Sequence, residues 1–111
     1  MGGQYLYPRL PLLFRLPINF SASGDNTIVP ADAVGNRVIV HRLWFVAGGA
    51  TNITFIDRLT NPAPVPMIAN MALVFDTGGE PWFITDQNTS FKINSSAAVQ
   101  VSGECFYTLA F

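Results

Sequence analysis

The sequence predicts an all-β fold: one antiparallel β-sandwich or barrel domain with an extended N-terminal arm. Three observations carry this prediction. The chain is 111 residues long, the size of a single domain. Apolar runs rich in Val, Ile, Phe and Trp recur between Gly, Pro and Asn clusters, giving roughly seven or eight short strands, the pattern of a sandwich or barrel. The last segment alternates over its whole length. Val99, Val101, Gly103, Cys105, Tyr107, Leu109 and Phe111 fall on one face, and Gln100, Ser102, Glu104, Phe106, Thr108 and Ala110 on the other.

The elements follow in order. Residues 1–17 form a Pro-broken apolar arm or a first edge strand, and residues 18–111 the sandwich domain. In the arm, Pro8, Pro11 and Pro17 remove backbone donors and hold the chain extended or turned. Ile18 and Phe20 alternate with polar neighbours. Ser23-Gly24-Asp25-Asn26 reads as a turn, and Thr27–Val29 as a short strand stopped by Pro30. Residues 31–36 suit a loop or a single helical turn. Arg37–Ala47 is the strongest central strand, with good strand formers on both of its faces after Arg42. That pattern suits a strand covered on both sides, or one whose second face meets a neighbour. Gly48 and Gly49 end it, and Thr51–Asp57 reads as its hairpin partner. The Pro-rich stretch 61–66 excludes a central strand and suits an extended loop or a crossover. Met71–Asp76, the short aromatic Pro81–Thr85 and the alternating Ser90–Asn94 complete the series.

Composition narrows the function. Half of the residues are hydrophobic and 12% are charged, about half the charge of an ordinary domain. A chain this small cannot hide all its apolar side chains in its own core, so part of that surface is expected to face a neighbouring subunit. The net charge is -1 and the six basic residues are scattered, which argues against nucleic acid and anionic lipid as partners. No secretory signal is evident at the N-terminus, and the longest apolar run, Leu43–Ala50, is too short to cross a bilayer.

Residues that could carry chemistry are few. His41 is the sole histidine and no motif sets a Ser or Asp beside it. One His and the single Cys105 cannot supply the N and S ligands of a zinc site. Cys105 reads as a buried strand thiol. The seven carboxylates sit mostly near turns, without EF-hand spacing. Four Asn-X-Ser/Thr patterns, at Asn19, Asn52, Asn88 and Asn94, read as chance in an Asn- and Ser-rich surface. An enzyme, a metal and a cofactor are therefore not expected. The expected contact residues are Tyr5, Tyr7, Leu10, Leu12 and Phe14 of the arm, with Trp44 and Trp82. Trp82, in Gly79-Glu80-Pro81-Trp82-Phe83, reads either as an interface anchor or as a ring folded over the end of the core.

Three stretches, Ser23-Gly24-Asp25-Asn26-Thr27-Ile28, Val38–Ala47, and Gly79–Phe83 followed by Ala97–Gly103, resemble in order and spacing small β-rich virion proteins of tailed bacteriophages, including head decoration and cement proteins. The resemblance covers roughly residues 18–108. It implies a jelly-roll-like sandwich, a homotrimer on the capsid surface, made in the host cytoplasm, whose partners are its own copies and the major capsid protein. Such a protein clamps a shell by apolar contact and strand addition. The competing expectation is a tail, fibre or baseplate module that binds a host-surface glycan or receptor, with Trp82 in a shallow sugar site.

Overall fold

The computed structural model describes residues 13–57, 63–76 and 81–110. Among these residues the chain forms strands and no helix: β1 (Phe14–Phe20), β2 (Gly24–Val29), β3 (Arg37–Ala47), β4 (Thr51–Ile56), β5 (Val65–Met67), β6 (Met71–Asp76), β7 (Phe83–Ile84), β8 (Phe91–Ser95) and β9 (Val101–Ala110). They make two antiparallel sheets. One has the order β1-β9-β3-β6, with β7 also paired to β3, and the other the order β2-β8-β4-β5. The sheets pack face to face as a β-sandwich.

Alternation builds the core. Ile18 of β1, Val101 and Cys105 of β9, and Val38, Val40, Leu43, Phe45 and Ala47 of β3 point inward from the first sheet. Ile53 and Phe55 of β4 and Phe91 and Ile93 of β8 meet them from the second. Fully burying a side chain of this size contributes about 1.5–3 kcal/mol. At one end the core is a run of rings. Phe55 lies 6.1 Å from Phe45, 4.8 Å from Phe83 and 5.2 Å from Phe75, and Phe83 lies 5.3 Å from Phe91.

The inward set on β3 changes parity, from even positions (Val38, Val40) to odd ones (Leu43, Phe45, Ala47). The cause is a bulge. Val40 pairs with Tyr107 and Arg42 with Phe106, so His41 is the extra residue. Part of the two-faced appearance of this strand is therefore a mid-strand change of face. Its outer face still carries the apolar Ile39, Trp44 and Val46.

Two readings of the sequence are corrected. β3 and β4 do not form a hairpin: they lie in different sheets. Both bury one face toward the same core, so they stack across it, and the Gly48-Gly49-Ala50 link crosses between layers. The Gly48 N–H is satisfied by the Gln100 carbonyl at 2.7 Å rather than by β4. The turn placed at Ser23–Asn26 is also shorter than expected. Gly24–Asn26 already belong to β2, paired to Ser95, Asn94 and Ile93 of β8. An edge strand tolerates this polar composition because its outer side faces solvent, and Asn94 donates to the Asp25 carboxylate at 2.7 Å.

Of the N-terminal segment, Phe14–Pro17 run as the start of edge strand β1, paired with Glu104–Tyr107 of β9. Residues 1–12 lie outside the described residues. The described part of the Pro-rich stretch ends in β5, a three-residue edge strand that holds Pro66.

Candidate interaction face

Residues paired directly across neighbouring strands share a face. The registers therefore set rows across the outside of the first sheet. One row runs Pro17, Glu104, Trp44, Val74, and the next Arg15, Phe106, Arg42, Asp76. Trp44 is 40% exposed and Val74 68% exposed, while Phe106 is half-buried. Together with Arg42 and Asp76 they line a shallow cavity of about 250 Å³.

The polar groups around this apolar centre are matched in pairs. The Arg42 guanidinium lies 4.4 Å above the Phe106 ring and 3.8 Å from the Asp76 carboxylate. Trp44 Nε1 donates to Glu104 Oε1 at 3.3 Å, and Arg15 Nε sits 3.4 Å from Glu104 Oε2. Two cations balance two carboxylates, so a partner could cover the face without stranding a charge. An apolar centre with a compensated polar rim is the anatomy of a protein interface.

The reactive groups are placed elsewhere. Cys105 is fully buried, and burial pushes its thiol up to about 12, which keeps it protonated and a poor nucleophile. His41, the extra residue of the bulge, has Nε2 2.8 Å from Thr108 Oγ1. Among the described residues no group of three or more His, Cys, Asp or Glu side chains could hold a metal ion. No helix there is long and apolar enough to cross a membrane.

The expected contact residues fall in four places. Tyr5, Tyr7, Leu10 and Leu12 lie outside the described residues. Phe14 is 46% exposed at the start of β1, with its ring 5.5 Å from Tyr107. Trp44 stands at the centre of the outer face. Trp82 is 40% exposed but packs 4.7 Å from Phe75, at the end of the core aromatics; its backbone N–H donates to the Val40 carbonyl at 2.8 Å. Trp44 and Trp82 thus flank β6 from opposite faces. Val74 and Phe106 escape sequence reasoning. The signal for Val74 is that Ala72 and Val74, on the face of β6 opposite Leu73 and Phe75, are apolar where a solvent face would be polar, and that for Phe106 is a ring on the otherwise mostly polar face of the last strand.

No protein-family model matches the chain, and no curated protein matches it.

Proposed function

We propose that this protein is a structural assembly subunit, and specifically a decoration or cement protein of a phage head. The observation that carries the reading is the uncovered apolar face of Trp44, Val74 and Phe106, ringed by charges that already neutralise one another. Its occupant would be the shell, met by the flat outer side of the sandwich. The strand order β1-β9-β3-β6 against β2-β8-β4-β5 supports a jelly-roll assignment, an architecture common in capsid proteins. The virion assignment itself rests on the sequence resemblance.

The reading predicts that the protein binds purified, expanded head shells and raises the temperature at which they disrupt. Trp44→Ala should abolish both effects while leaving the fold intact, because Trp44 lies outside the core. A protein that binds no head particle would overturn the reading. A second reading has one specific observation behind it. Trp44 flanks a shallow cavity with Arg42 and Asp76 at its rim, the arrangement that stacks a sugar ring and hydrogen-bonds its hydroxyls. Under that reading a glycan array shows a signal that Trp44→Ala removes.

A further inference from the structure

We infer that the open edge of β6 pairs, antiparallel, with the β6 edge of a second copy across a two-fold axis at Val74. This deepens the assembly reading and rests on it, since it names one occupant of the same side of the sandwich.

The four sheet edges differ in how they are guarded. Edge strands left open recruit other strands unless charge, proline, bulges or brevity prevent it. β1 carries Arg15 and Pro17. β2 is polar and has an irregular register between Thr27 and Val29. β5 is three residues long and holds Pro66. β6 has none of these devices: Met71–Phe75 is free of charge and proline, its register with β3 is unbroken, and Asp76 is already beside Arg42. Among the described residues no strand pairs with its outer edge.

Exposed apolar side chains gather on the same side. Of the seven large ones among the described residues, Trp44, Ile68, Met71, Val74 and Trp82 lie on β6, beside it, or in the loop that leads into it. With aromatic side chains covering 150–250 Å² each and aliphatic ones somewhat less, these five expose roughly 500 Å² per copy. Edge pairing covers the part of this area that borders the open edge, on the β6 side chains Met71 and Val74, while Trp44 stays on the open outer face; main-chain hydrogen bonds along the strand supply the rest of the contact.

Register selects the axis. Pairing about Val74 sets Val74 against its own copy, Phe75 against Leu73, and Asp76 against Ala72. Every outward side chain then stays outward, and no carboxylate meets another. A slip of one residue would set outward positions against inward ones. The product is one continuous sheet through both sandwiches, with an apolar row Trp44–Val74 repeated across the axis. This contact is two-fold, where the resemblance implies a three-fold one.

Two measurements on the full chain, without any shell, test the inference. Light scattering at micromolar concentration should give twice the 12.1 kDa chain mass. Val74→Lys, at a side chain already exposed in the single copy, sets like charges on the axis and should weaken the dimer by at least about tenfold. Paired Cα atoms across antiparallel strands lie about 4.5–5.5 Å apart, within disulfide reach. Val74→Cys should therefore oxidise to a covalent dimer, whereas Ser102→Cys, on the same face but away from the edge, should not. A monomer, a trimer, a dimer indifferent to Val74→Lys, or cross-linking no faster at 74 than at 102 would overturn the inference. A monomer that still binds shells overturns this pairing alone, and a dimer that binds no shell overturns the shell reading alone.

Discussion

At the scale of single residues, two positions fix what the fold tolerates. Gly103 sits opposite Phe45, where β3 and β9 approach closely. A Cβ there would lie 1.8 Å from the Trp44 carbonyl oxygen and 2.6 Å from Phe45 Cα, both backbone atoms that cannot step aside. Gly103→Ala should therefore prise the central strand pair apart, with a loss of at least about 3 kcal/mol and most of the soluble yield, read by denaturant melts. Cys105 gives a pH signature. Its thiol is raised by burial from 9.0 to about 12, so the unfolded chain loses this proton first as pH rises. Its contribution is fully present below pH 9 and is lost progressively toward pH 12, by about 1.4 kcal/mol per pH unit at most. Stability should fall from pH 9 to 11 more steeply in the wild type than in Cys105→Ala. In the folded protein, alkylating reagents should leave the thiol untouched at pH 8. Burial of Cys105 was legible from the alternation of the last segment. The role of Gly103 was not, because close backbone approach leaves no mark on hydrophobic period.

At the scale of elements, the strands were legible and their partners only in part. Alternation locates β1, β4, β8 and β9, and Pro and Gly mark where strands stop. Which strand pairs with which depends on the layer each one joins. A short glycine link after β3 suits a hairpin and a layer crossing equally well, and the crossing wins because Phe45 and Phe55 face each other across the core. The bulge at His41 was illegible for a related reason: it swaps faces within a strand, so its trace in the sequence is apolar residues at both parities. β7 shows how a short element is held. Thr85, fully buried just after it, accepts from the Val38 N–H through Oγ1 at 2.8 Å and donates its own N–H to the Val38 carbonyl at 2.9 Å. Thr85→Val keeps the shape but strands the Val38 N–H, and should cost about 1–3 kcal/mol in thermal or denaturant unfolding.

At the scale of the whole molecule, the shortage of charge resolves into a location. Among the described residues, little of the excess apolar surface lies on the β2 side of the sandwich. It gathers on the outer face of the first sheet and along β6. Trp44 was legible in the sequence as an apolar side chain on a strand with two apolar faces, and it stands 40% exposed on the outer one. Val74 was not legible as exposed, since a Val in a short apolar run reads as core until the sheet order makes its strand an edge. Among the described residues, pairing of the N-terminal segment with β9 starts at Phe14. Deleting residues 1–12 should leave the sandwich folded, as judged by an unchanged far-ultraviolet circular dichroism spectrum. Loss of shell attachment in that variant would assign the segment a docking role, and retained attachment would place docking on the sheet face alone. Hydrogen exchange along β6 reads most directly whether this side of the molecule is built to be covered. Backbone amides of Met71–Asp76 should exchange more slowly as protein concentration rises, and Val74→Lys should remove that dependence. Exchange that is fast and independent of concentration in the wild type would contradict it.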